Sequence, residues 1–188
     1  MSRNLIVCCD GTGNEYGPRN TNVVHAYEAA ARDRRQLGFY DPGVGTFNFL
    51  GIPVARRLGV LLGKAFGLGL RQNLADAYRF LMDNHRPGDR IFLFGFSRGA
   101  FTARALAGML HKCGLLRPEH DNLLEYAVRL YLARRNGRVA RGFKATFARR
   151  CPVHFIGVWD TVASLGWFLG RQFENARLNP EVAHGFHA

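Results

Sequence analysis

The chain is predicted to fold as a three-layer α/β domain built on a mostly parallel central sheet. Three observations lead there. Short runs rich in apolar residues and β-formers (Asn4 to Cys9, Gln36 to Tyr40, Ile91 to Phe94, Val153 to Trp159) alternate with longer segments of helical periodicity, the order that sets strands side by side and parallel. The first run is almost continuously apolar, as in a strand covered on both faces. The first two runs pass into polar, glycine-rich turns, which parallel strands gather on one sheet edge. With 188 residues, 47% of them hydrophobic, a single domain across 1–188 has enough chain for a substantial core.

The first strand ends in Asp10-Gly11-Thr12-Gly13-Asn14, which has two readings. One is a loop that cradles phosphate in a phosphoryl-transfer or nucleotide-binding domain. Its spacing misses G-x-G-x-x-G, the chain contains no G-x-x-x-x-G-K-[ST], and Cys8 stands where aspartate-dependent phosphatases carry their nucleophile. The other is a loop whose backbone N–H groups face an oxyanion. Asn22 to Arg35 carries Val23, Val24, Tyr27, Ala30 and Ala31 on one face, with Thr21 or Asn20 as cap, and is predicted helical. The strand Gln36 to Tyr40 closes in Asp41-Pro42-Gly43-Val44-Gly45-Thr46. Phe47 to Leu70 is glycine-rich and apolar but interrupted by Arg56, Arg57 and Lys64. It reads as a cover over the site, a lipid-touching surface or a plain connection. Leu70 to Asn84 is a helix with Leu74, Ala77, Tyr78 and Leu81 on one stripe.

Pro87-Gly88-Asp89 then turns the chain into the strand Ile91 to Phe94, and Ala100 to Leu110 resumes helical spacing. Between them, Gly95-Phe96-Ser97-Arg98-Gly99 fits G-x-S-x-G. A serine at the apex of a sharp strand-to-helix turn takes a strained conformation, and side chains two positions away would clash with it. Glycine at both flanks removes the clash. The new helix also directs free N–H groups and its positive dipole end at an oxyanion formed on the serine. Ser97 is therefore the candidate nucleophile.

Gly114 to Pro118 ends that helix. Asn122 to Arg135 is read as another amphipathic helix, and the basic stretch to Arg150 as low in order. The strand Val153 to Trp159 delivers Asp160 to its carboxyl end, the place for the acid of a triad. A cap on the next turn is the competing role. In a Ser, acid, His chain order, only His184 and His187 of the seven histidines follow Asp160.

Composition narrows the class. No run of 18 apolar residues predicts a membrane span. The N-terminus lacks a signal-peptide cleavage pattern, so synthesis in the cytoplasm is expected. Cys8, Cys9, Cys113 and Cys151 show neither zinc spacing nor a disulfide framework and read as small buried hydrophobes. A net charge of +12 suits an anionic membrane surface, while no nucleic-acid-binding motif accompanies the arginines.

Four blocks in order, Cys9-Asp10-Gly11-Thr12-Gly13-Asn14, Tyr40 to Thr46, Gly95 to Arg104 and Gly157 to Ser164, resemble the DUF2235 domain, the Tle1-like catalytic domain of type VI secretion phospholipase effectors. The resemblance implies an α/β-hydrolase fold and a Ser-Asp-His triad acting on acyl esters of phospholipids. By position, Ser97 matches the nucleophile and Asp160 the acid. Phe186-His187-Ala188 matches the start of the family's histidine block, which makes His187 the base and the sequence an expected fragment, with that histidine near a frayed end. The oxyanion hole is expected from the backbone N–H of Arg98 with one from Gly11 or Thr12, and Asp10 and Phe96 are the candidate substrate contacts. This chemistry needs no cofactor or metal, though the Asp10 cluster leaves a cation conceivable. Phospholipid or another ester is the expected partner, and export by a type VI secretion system is implied. The alternatives are an inactive, truncated module and the phosphoryl-transfer domain introduced with the Asp10 loop.

Overall fold

A computed structural model of the chain describes residues 2–11, 14, 16–43, 55–133, 135–159 and 181–188, with backbone only for 55–68. In order these form β1 (Asn4–Cys9), α1 (Asn22–Ala29), β2 (Gln36–Asp41), α2 (Ala55–Asn84), β3 (Arg90–Phe96), α3 (Arg98–Cys113) and β4 (Leu115–Leu116). A 3-10 turn (Pro118–Leu123), α4 (Leu124–Leu132), α5 (Gly137–Phe147), β5 (Ala148–Arg149), β6 (Val153–Trp159) and β7 (His184–His187) follow. Among the described residues the main sheet has the order β2-β1-β3-β6-β7, every neighbouring pair parallel. The alternation of strands and helices therefore predicts the architecture correctly.

The pleat of β1 splits its apolar run between two layers. Leu5, Val7 and Cys9 join the large core against α2 and α3, while Ile6 and Cys8 pack with Val23 of α1 on the other face. This is why the run is apolar throughout. α3 lies at the centre of the larger layer, burying Ala100, Ala103, Leu106, Met109 and Leu110. Against it pack α4, through Ala127 and Val128, and α5, through Ala140 and Phe143. Among the described residues no helix is long and apolar enough to cross a membrane.

Four elements differ from their sequence-based expectations. α1 stops at Ala29 because Ala30 turns extended (φ −70°, ψ 125°), although Thr21 caps it as expected by accepting from the Val24 N–H at 3.3 Å. α2 starts at Ala55, so helix occupies most of the glycine-rich stretch expected as a cover or connection. The basic stretch expected to be low in order contains α5, whose Ala140 and Phe143 bury while Arg138 and Arg141 face solvent. Gly137 and Gly142, together with Arg138, Arg141 and Lys144, dilute the apolar period of that helix. Finally, β7 pairs with β6, with Ala183 N–H donating to Val153 O and Ala188 N–H to Val158 O, both at 3.1 Å. His187 therefore sits in a paired strand rather than a frayed end.

Tyr78 ties α2 to the turn below α3. Its side chain is fully buried, and its hydroxyl donates to Gly114 O and accepts from Leu116 N–H, each at 2.8 Å. Burial, the largest influence, pushes the phenol well above its usual range. Tyr78→Phe leaves a buried N–H and carbonyl without partners. It is expected to lower stability by about 1–3 kcal/mol in denaturant unfolding, with the sheet intact.

Candidate active site

Ser97 occupies the sharp turn between β3 and α3 with φ 52° and ψ −115°, and among the described residues no other non-glycine residue has positive φ. Such a conformation costs about 1–3 kcal/mol and persists only where the surroundings hold it. The flanks explain the hold. A Cβ at Gly95 would lie 2.5 Å from Ala100 Cα, and one at Gly99 would lie 2.0 Å from Cys9 O. Both glycines thus allow strand, turn and helix to close on each other. The Ser97 N–H donates to Trp159 O at 2.9 Å, which extends the β3–β6 ladder into the turn and fixes the serine against the end of β6. The hydroxyl makes no hydrogen bond among the described residues.

Across from the serine stands the first loop. A Cβ at Gly11 would lie 3.4 Å from Ser97 Cβ and 3.3 Å from the Phe96 ring, so Gly11 and Phe96 border the candidate nucleophile directly. Asp10 anchors this loop from beneath. It is 1% exposed, and its two oxygens take four donors. Oδ1 accepts from Gly11 N–H at 2.7 Å and Asn14 Nδ2 at 3.2 Å, and Oδ2 from Thr21 Oγ1 at 2.8 Å and Tyr40 OH at 2.9 Å. Burial, then the hydrogen bond to Asp10, hold the Tyr40 phenol well above its usual range, so it stays a donor. Two expectations change as a result. Asp10 supports the loop and has no exposed surface to meet substrate, and the Gly11 N–H is already engaged by Asp10. A buried carboxylate so fully occupied is also ill-placed for phosphoryl transfer.

The second loop backs onto the first. The Asp10 N–H donates to Asp41 O at 2.8 Å, and Asp41 Oδ1 accepts from Gly43 N–H at 2.9 Å. Gly43 has φ +78°, and a Cβ there would lie 2.7 Å from the carbonyls of both Asp10 and Gly11. Its glycine is required by conformation and by space. Cys8 and Cys9 beside the loop are chemically quiet. Burial and the Asp10 charge push the Cys8 thiol up to about 12, and burial raises Cys9 well above its usual value.

The histidines separate by register. Val158 pairs with Gly95 on one side and with His187 on the other, so His187 stands two strands from β3 near the edge that carries Ser97. His184 pairs with Phe155, further from that edge, and its ring meets His154 edge-on at 5.4 Å. Asp160 and Thr12 lie outside the described residues, as do residues 44–54 of the second loop and its continuation. Sequence reasoning misses the side chains that hold Asp10. Local pattern marks Thr21 only as a helix cap, and Asn14 and Tyr40 only as members of their motifs. A buried acid just after a strand is the available signal, since it demands donors from neighbouring loops.

The model of the family described as "T6SS, Phospholipase effector Tle1-like, catalytic domain" matches residues 3–188. An uncharacterized protein of Saccharomyces cerevisiae is 35% identical over 206 residues, covering 98% of this chain but 30% of that protein, so the chain spans under a third of its relative's length. No solved structure matches the chain. Matched almost from end to end, the chain belongs to the Tle1-like phospholipase effector catalytic domain family.

Proposed function

We propose that the chain is a serine hydrolase of carboxylic esters, with phospholipid acyl esters as its substrates. The observation that supports this best is the backbone of Ser97, held at φ 52° between two glycines that cannot bear side chains. In the proposed reaction the Ser97 hydroxyl attacks the ester carbonyl and His187 takes its proton. Asp160 orients the imidazole and stabilises its charged form, and the Arg98 N–H at the start of α3 binds the oxyanion. The alcohol leaves with the proton from His187, and water then releases the acyl group by the same route in reverse.

An anionic lipid surface is the matching partner. From Tyr126 to Trp159 the chain has eight lysines and arginines and no acidic residue, and on α5 Arg138 and Arg141 are exposed. Type VI secretion, named in the family description, is the proposed route of export.

The direct test is release of fatty acid from phosphatidylglycerol vesicles, compared with neutral phosphatidylcholine vesicles and a soluble ester. His187→Ala is expected to lower turnover by about 10⁴-fold or more, while His184→Ala leaves it nearly unchanged. Activity that survives His187→Ala would remove it as the base and transfer the role to His184. Phospholipids left intact by an enzyme that cleaves soluble esters would overturn the substrate class alone.

A further inference from the structure

We infer that the side-chain amide of Asn14 is a donor of the oxyanion hole and that Asp10 is the residue that positions it; this rests on the serine-hydrolase reading above. The position of Gly11 carries the inference. A Cβ there would lie 2.7 Å from Asn14 Nδ2 and 3.4 Å from Ser97 Cβ. Both distances start from one point, so the amide nitrogen and the serine are separated by no more than the two combined. The absence of a side chain at Gly11 lets the Asn14 amide nitrogen, Ser97 and the Phe96 ring crowd closely around that glycine. An oxygen bonded through carbon to Ser97 Oγ needs a donor within reach of the serine, which this approach supplies.

The donor's orientation is fixed from below. Asn14 Nδ2 carries two N–H groups, and one goes to Asp10 Oδ1 at 3.2 Å. The second has no partner among the described residues. Asp10 cannot turn to release the amide, because Tyr40 and Thr21 hold its other oxygen. Since a carboxylate oxygen accepts and does not donate, Asn14 presents its NH₂ here and not its carbonyl. The Gly11 N–H, expected as the loop's backbone donor, shares the same Asp10 oxygen at 2.7 Å. Asn14 thus supplies from its side chain what the Gly11 backbone does not.

In the reaction, Ser97 Oγ bonds to the carbonyl carbon, the carbonyl π pair moves to oxygen, and the serine proton passes to His187. The oxyanion accepts from the Arg98 N–H and the second Asn14 N–H. Collapse re-forms the carbonyl and expels the alcohol oxygen, which takes the proton from His187. Asn14 is catalytic here because it touches the reacting oxygen, and Asp10 acts through it.

The test compares wild type, Asn14→Ala and Asp10→Asn on p-nitrophenyl butyrate, with reactive sites counted by complete fluorophosphonate titration so that unfolded protein is not scored. An alkyl trifluoromethyl ketone, whose serine adduct carries an oxyanion, is measured alongside. Asn14→Ala should lower kcat by about 10²–10³-fold with little change in KM, and weaken the ketone by the same factor. Asp10→Asn should lower kcat by less, because it frees the amide without removing it. Asn14→Ser carries the same prediction as a second small variant should alanine prevent folding. Unchanged kcat in Asn14→Ala, or a lower kcat with unchanged ketone affinity, overturns the assignment and leaves the serine mechanism standing. A folded wild type that fluorophosphonate does not titrate overturns the serine reading, and this inference with it.

Discussion

Ser97→Ala is expected to abolish fluorophosphonate labelling and lower ester hydrolysis by about 10⁴- to 10⁶-fold. The protein should fold as before, because the Ser97 hydroxyl makes no hydrogen bond among the described residues, while its N–H to Trp159 O is retained. A second variant separates chemistry from strain. Ser97→Gly should be equally inactive yet more stable than Ser97→Ala, by about 1 kcal/mol in thermal unfolding, because only glycine takes φ 52° and ψ −115° without a Cβ penalty. Hydrolysis that persists in both variants would end the case for a serine nucleophile and return attention to the loop after β1.

Gly99→Ala is expected to be the most damaging glycine-to-alanine change among the described glycines. A Cβ there would lie 2.0 Å from Cys9 O, 2.4 Å from Cys9 C and 2.6 Å from Asp10 O. All three are backbone atoms. β1 cannot retreat from them, since it pairs with β2 on one side and β3 on the other. The strain must therefore displace α3 or the Asp10 loop, at a cost of about 3 kcal/mol or more. It should also lower turnover about a hundredfold in the fraction that folds, because displacement by roughly 1 Å separates the loop from the serine. Gly142→Ala in α5 is the internal control. Nothing lies within 4 Å of its added Cβ, and helix propensity favours the change by up to about 1 kcal/mol. Equal melting temperatures for Gly99→Ala and wild type would mean that α3 does not approach β1 as described.

Much of the sheet, and the strained turn that carries the candidate nucleophile, is legible in the chain alone. The β1 and β3 runs need only hydrophobic patterning, and Ser97 needs only two glycines at fixed spacing between a strand and a helix. What local pattern misses, it misses for identifiable reasons. α5 is hidden because its buried stripe is only Ala140 and Phe143 amid exposed arginines. β4 and β5 are two-residue strands that pair antiparallel across a gap of more than thirty positions, and no local signal announces them. β7 is short, and its four residues are exposed, so no apolar alternation marks it.

The site divides along the same line. Sequence by itself determined an α/β domain with a serine raised on a strained turn, because torsional limits and side-chain periodicity act over a few neighbouring residues. Only the tertiary structure decided that Asp10 faces inward as an anchor and not outward to substrate. Its donors Thr21 and Tyr40 come from positions brought together by the β1–β2 pairing and the α1 cap. His187, already singled out as the base by the family resemblance, is favoured over His184 in the proposed mechanism by the register of β7 on β6 as well. Contacts between residues distant in the chain depend on which loops the sheet gathers at one edge, and that is a property of the packed fold.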